Sequence, residues 1–249
     1  MNKTEREQLK HNEAADAIVA ASSYLSRYGR TLGLAAVAVL LLVGSVAGYR
    51  AFKARAEERA QAQLAAAVEI LNAPVAQAPA PGLAPTPPAP GTYATEAARA
   101  DAALKQLLAT AEGFGNTDAG IRARYYAASL HAETGRVKEA ADLYTQVRDA
   151  AGASTLLGRM ASLGLASMQV RQKQFDPAIK ALQELAQRRD GPLPVDAVLV
   201  QLAEAYQQAG RAAEASQTLQ RVVDEFPQSP YAADARQRVE ALQATAKVS

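Results

Sequence analysis

Three stretches decide the fold: ETGRVKEAADLY (133–144), RQKQFDPAIKAL (171–182) and QAGRAAEASQTL (208–219). Laid over one another, they place an alanine at the same point, Ala140, Ala178 and Ala215, at separations of 38 and 37 residues. Twelve residues earlier stand Ala128, Ala166 and Ala203, and four residues later stand Tyr144, Leu182 and Leu219. A small residue on each of two helices lets their backbones cross closely, and a large apolar residue beside it fills the space next to the crossing. The spacing predicts helical hairpins, three of them in phase, which bury their apolar faces only by stacking on neighbours.

Punctuation supports this reading. Gly135 and Gly210 follow helical runs, where a left-handed residue commonly ends a helix. Asp176–Pro177 and Ser229–Pro230 read as an N-cap followed by a first-turn proline, and Ser154 reads as the cap of a helix beginning near Thr155. One further period back falls on Ala103, with Leu107 four residues later. Residues 94–112 therefore read as the second helix of an earlier hairpin whose first helix is 54–71. Residues 230–245 read as a closing helix that turns Asp234, Arg236, Gln237, Arg238 and Glu240 to water.

Towards the N-terminus, Thr31–Tyr49 is 19 residues without a charge, bounded by Arg30 and Arg50. At ~1.5 Å per residue it spans roughly 28 Å, close to the hydrocarbon thickness of a bilayer. Tyr28 and Tyr49 stand where interfacial aromatics belong. Ser45 and Ala47 have the small side chains that signal cleavage needs, but the preceding tail carries both charge signs and the apolar run is long. The run is also apolar on every face, unlike an amphipathic core helix. The organisation expected is thus a tail at 1–30, a transmembrane helix at 31–49, a membrane-proximal helix at 50–72, a Pro/Ala-rich linker at 73–93 and a repeat domain at 94–249. Seven of the twelve prolines lie in the linker, where they block helix and sheet alike. Gly44 and Gly48 form a GxxxG pair, a close-approach surface between membrane helices. Arg50, Lys53, Arg55 and Arg59 make the C-terminal flank the more basic near the membrane, so charge alone leaves the topology open.

Composition excludes much chemistry. The chain of 249 residues has no cysteine and two histidines, which excludes a disulfide scaffold, a thiol enzyme, an iron–sulfur cluster and a zinc ribbon. Its 59 alanines favour helix. The net charge of +2 belongs to the membrane flanks, and 94–249 balances 18 basic against 18 acidic residues, which argues against bulk attraction to nucleic acid. Phosphate-loop, dinucleotide, HExxH and GxSxG motifs are absent. Glu57/Glu58 read as a solvated helix-surface pair, and His131 reads as a packing residue between helices. No enzyme, cofactor or metal is expected.

The spacing resembles the tetratricopeptide repeat. The family's small positions match Ala128/Ala140, Ala166/Ala178 and Ala203/Ala215, and its large second-helix position matches Tyr144, Leu182 and Leu219. Its first-helix aromatic is matched by Tyr206, while His131 and Gln169 depart from it; Arg124, Ser162 and Leu199 stand where its opening aromatic would be. The resemblance implies an all-α chain, one N-terminal transmembrane helix followed by an α-solenoid of hairpins. By the family's phase, a concave peptide groove is lined by Arg122, Tyr125 and Ser129, then Met160, Leu163 and Ser167, then Val200, Glu204 and Gln207.

A charged tail, one membrane helix and a short array of degenerate repeats also resemble the ancillary SecYEG translocon subunit family. The ending VVDEFPQSPYAADARQRV (222–239) is similar to the last repeats of the periplasmic cell-division coordinator and outer-membrane assembly lipoproteins. What this implies is a bacterial inner-membrane scaffold, N-terminus in the cytoplasm and repeats in the periplasm. It would bind other proteins or exported polypeptides in a chaperone-like or translocon-ancillary role, with homo-oligomers through Gly44/Gly48. The alternative is an adaptor docked to one fixed envelope complex for cell division, secretion or outer-membrane assembly.

Overall fold

A computed structural model describes residues 3–76, 89–188 and 193–246. Among them run nine helices: α1 (Lys3–Asn72), α2 (Glu96–Gly113), α3 (Asp118–Glu133), α4 (Val137–Ala151), α5 (Leu156–Arg171), α6 (Phe175–Gln187), α7 (Val195–Gln208), α8 (Ala212–Glu225) and α9 (Ala232–Ala246). The chain divides into two compact units, one up to Arg55 and one from Ala56 onward.

In the first unit, α1 is long and apolar enough to cross a membrane, and the side chains of Val37, Leu40, Leu41, Leu42 and Val43 are exposed. The Ser45 hydroxyl donates to the Leu41 carbonyl one turn back at 2.7 Å, which satisfies it within the helix.

The second unit stacks hairpins α3/α4, α5/α6 and α7/α8. Ala128, Ala140, Ala166, Ala178, Ala203 and Ala215 are all 0% exposed, so the periodic alanines are the helix crossings. Tyr144, Leu182 and Leu219 are buried beside them. The hairpin inferred at the start is also present. Ala67 and Leu64 near the end of α1 share a core with Ala103, Leu104 and Leu107 of α2. The ends of the proline-rich insertion lie side by side. Ala76 N–H donates to the Tyr93 carbonyl at 2.8 Å, Tyr93 N–H to the Pro74 carbonyl at 2.9 Å, and Arg99 Nη1 to the Ala73 carbonyl at 3.0 Å. The linker's middle, 77–88, lies outside the described residues.

The turns repeat as well as the helices. Arg136 N–H reaches the His131 carbonyl at 2.8 Å and Gly135 N–H the Ala132 carbonyl at 3.3 Å; Arg211/Tyr206 and Gly210/Gln207 repeat this pair at 2.8 and 3.0 Å. The middle hairpin makes the same turn, Gln174 to Gln169 at 2.8 Å and Lys173 to Val170 at 2.9 Å, but with Lys173 at φ 61° where the others have glycine. A left-handed side-chain-bearing residue costs about 1 kcal/mol relative to glycine. Lys173→Gly is therefore expected to stabilise the repeat domain by about that amount, read as a raised denaturation midpoint. An unchanged or lowered midpoint would refute it.

Three boundaries differ from the sequence reading. Thr155, not Ser154, caps α5, its Oγ1 accepting Gly158 N–H at 3.1 Å while donating to the Gly152 carbonyl at 2.9 Å. In α6 the cap is Gln174, and Asp176 and Pro177 fall inside the first turn, because the tight reversal at Lys173 starts the helix earlier. Ser229–Pro230 forms the turn before α9, with the Ser229 hydroxyl donating to Asp196 Oδ2 at 2.6 Å. Arg238 is not turned wholly to water: it donates to Gln207 Oε1 at 2.5 Å and lies 3.7 Å from Glu204, both on α7. Glu57 is not a plain surface acid either. It accepts the backbone N–H groups of Asp118 and Ala119 at 2.8 and 3.1 Å, at the positive end of α3.

His131 is packed as expected, 7% exposed, with Nδ1 buried and unpaired. Burial first, and then the Arg136 guanidinium, lower its pKa below the usual 6.5, against a smaller opposing pull from Glu139. A depressed histidine stays neutral in the fold while the unfolded chain takes up a proton, so stability falls as pH drops below the unfolded value. Replacing His131 by Phe should flatten the decline of melting temperature between about pH 7.5 and 5.5, the range in which an ordinary histidine titrates. An unaltered decline would assign the acid sensitivity to other groups.

Candidate peptide groove

The first helices of successive hairpins line a cavity of about 670 Å³, a size within the range of ligand pockets. Helix α3 contributes Tyr125, Ser129 and Glu133, and α4 contributes Tyr144. Helix α5 contributes Met160, Leu163, Gly164, Ser167, Met168 and Arg171, while Leu193 and Gln201 close the far side. Five of the nine expected groove residues meet here: Tyr125, Ser129, Met160, Leu163 and Ser167.

The floor is built from an aromatic pair. Tyr125 and Tyr144 pack edge to face with centroids 5.6 Å apart, and Tyr125 also meets Tyr126 at 6.2 Å. The Tyr144 hydroxyl and Ser129 Oγ share a hydrogen bond at 3.1 Å. Burial, more than any other influence, raises the pKa of both Tyr125 and Tyr144, so both remain neutral donors. Glu133 and Arg171 stand on the rim with opposite charges, and Arg171 Nη1 donates to the Ala132 carbonyl at 2.7 Å. Polarizable methionine beside rigid aromatic rings and uncharged polar groups accommodates varied side chains.

Four expected residues lie elsewhere. Arg122 is drawn to the α1 side, its Nη2 3.9 Å from Glu57 and its Nε donating to the Asp118 carbonyl at 3.3 Å. Val200 is 9% exposed and belongs to the core shared by α6, α7 and α8. Gln207 is engaged by Arg238 of α9. Glu204 lines a smaller adjoining cavity of about 150 Å³ with Ser167, Arg171 and Gln201. The repeat phase identifies a helix face, but a closing helix covers part of that face in the last repeat. A Cβ added at Gly44 or Gly48 would meet no atom within 4 Å, so both positions are open along α1.

Gly164 was not singled out from the sequence. A Cβ there would stand 2.6–2.8 Å from Cζ, Cε1 and Cε2 of Tyr144, so only glycine admits the ring. The available signal was a glycine in the middle of a helix, costly unless something must approach closely.

The family model described as a tetratricopeptide repeat-like domain matches residues 22–190, and a tetratricopeptide repeat model matches 170–239. No curated protein matches the sequence. Among solved structures, the nearly identical TPR-like repeats of a Podosopora anserina kinesin light chain are similar in fold. A singly substituted form of those repeats has a TM-score of 0.57 at 16% identity, covering 77% of this chain and 88% of that one. The unsubstituted form has a TM-score of 0.52 at 17% identity, covering 78% and 99%.

Proposed function

The chain belongs to the tetratricopeptide repeat-like domain family, and from that premise we propose a membrane-anchored scaffold that holds polypeptides in the groove floored by Tyr125, Tyr144, Met160 and Leu163. Repeats of this family make a protein–protein interaction scaffold. The observation that carries the finer reading is the cavity itself: aromatic and thioether side chains with neutral polar groups, framed by rim charges that cancel. Such a surface suits unfolded segments of varied sequence, as a chaperone-like or translocon-ancillary protein requires. The exposed apolar run of α1 supports an anchor in a bacterial inner membrane, which would raise the local concentration of the groove near emerging chains.

A photo-crosslinking residue at Met160 or Leu163, with Tyr125→Ala as the weakened control, tests the reading. Varied captured polypeptides, reduced in the control, are expected. A single stoichiometric partner would instead establish the adaptor reading. The absence of native cysteine allows a topology test with one cysteine engineered next to Ser249. Labelling in intact spheroplasts is expected for periplasmic repeats, and labelling only after lysis would overturn that placement. If two copies associate, Gly44 and Gly48 are the close-approach face. Crosslinked dimers of a Ser45→Cys chain should then be lost on Gly48→Leu, and their persistence would rule this face out.

A further inference from the structure

A second cleft, of about 340 Å³, lies on the other side of the repeats between the end of α4, α5 and α6. Its charged lining is one-sided: Arg148, Lys180 and Arg188 against Glu184 alone. Arg148 is held in place by Asp149, with Nε and Nη2 each 2.9 Å from Oδ1. Among the described residues, neither Lys180 nor Arg188 makes an ion pair. Gln169 also lines the cleft, with its Oε1 buried and unpaired. Between these groups the lining is aliphatic, from Leu165, Ala181 and Leu185.

We infer that this cleft binds an acidic peptide segment, its carboxylates held by Lys180 and Arg188 and its aliphatic carbons on the apolar strip. Two exposed cations without an acidic partner on one cleft favour an acceptor-rich anion. The cleft offers no aromatic ring for base stacking, and the repeat domain has no net charge to attract nucleic acid. The cations line a bounded cleft, whereas a bilayer surface is met by an extended basic face. The site is separate from the groove on α3 and α5 and does not depend on the reading given to that groove.

The test uses the full chain in detergent micelles and a fluorescein-labelled Gly-Leu-Asp-Glu-Leu-Gly peptide, followed by anisotropy. Binding is expected to weaken with salt and to fall about tenfold when Asn and Gln replace the two acids. The paired reversal Lys180→Glu and Arg188→Glu should weaken the acidic peptide by at least about tenfold. Both side chains are exposed, so melting should hold, and the milder Lys180→Gln with Arg188→Gln replaces the pair if it does not. Equal binding of the neutral peptide, or undiminished binding by the reversed variant, overturns the inference. So does a chain that ignores the peptide yet binds phosphatidylglycerol vesicles through Lys180 and Arg188.

Discussion

Gly158→Ala is expected to lower the stability of the repeat domain by about 3 kcal/mol, the upper part of the range for overpacking. A Cβ at this position would stand 2.1 Å from the Gly152 carbonyl oxygen and 2.8 Å from its carbon. Those are backbone atoms of the turn that also accept the Thr155 hydroxyl, so relief requires moving the cap of α5. The same device stands one period earlier. A Cβ on Gly120 would lie 1.9 Å from the Phe114 carbonyl oxygen, and Thr117 Oγ1 donates to that oxygen at 2.8 Å while accepting Gly120 N–H at 3.0 Å. In a domain of this size the loss corresponds to a melting temperature lower by roughly 6–12 °C. Gly113→Ala is the control, since a Cβ there meets nothing within 4 Å and should leave melting unchanged or slightly raised. If Gly158→Ala melts with the control, the close approach of the carbonyl is not a constraint.

Gly164→Ala is expected to cost about 2 kcal/mol and to damage the groove at the same time. The Tyr144 ring, 5% exposed, is fixed by its hydrogen bond to Ser129 and by Tyr125, so it cannot retreat from the new methyl group without giving up one of them. The other hairpins suggest the rescue. Leu182 and Leu219 occupy the Tyr144 position, and Gln201 occupies the Gly164 position opposite Leu182. Glycine thus stands opposite tyrosine, and a larger residue stands opposite leucine. Tyr144→Leu in the Gly164→Ala background should recover most of the stability while leaving crosslinking at Met160 weakened. A double-mutant cycle on melting free energies reads the coupling, and additive losses would show that the two side chains do not compete for the same space.

The repeat architecture was readable because its determinants are periodic and local. Ala128, Ala140, Ala166, Ala178, Ala203 and Ala215 must be small for helices to cross, whichever neighbour each helix meets. The left-handed turns at Gly135 and Gly210 were readable for a similar reason, since glycine adopts that conformation freely. The middle turn was not marked, because Lys173 at φ 61° stands where the other two turns have glycine. The Thr155 cap was displaced by one residue in the reading, because Ser154 and Thr155 offer the same hydroxyl chemistry and only the position of the Gly152 carbonyl separates them.

Five of the nine residues that helix phase nominated line the candidate cavity. Tyr125, Ser129, Met160, Leu163 and Ser167 follow from helix phase, which local residue identity sets through the pitch of the helix. Phase also nominated Arg122, Val200 and Gln207, and there contacts from distant parts of the chain prevailed. Glu57 lies 3.9 Å from the first, the core of α6, α7 and α8 buries the second, and Arg238 takes the third. Residue order alone therefore specifies the helices, their crossings and the apolar run of α1. Which of the inward-facing side chains stay open to a partner depends on the element stacked over each one, and that element differs from repeat to repeat. A period in the sequence records what the repeats share, whereas Tyr144 against Gly164 and Arg238 against Gln207 are contacts in which they differ.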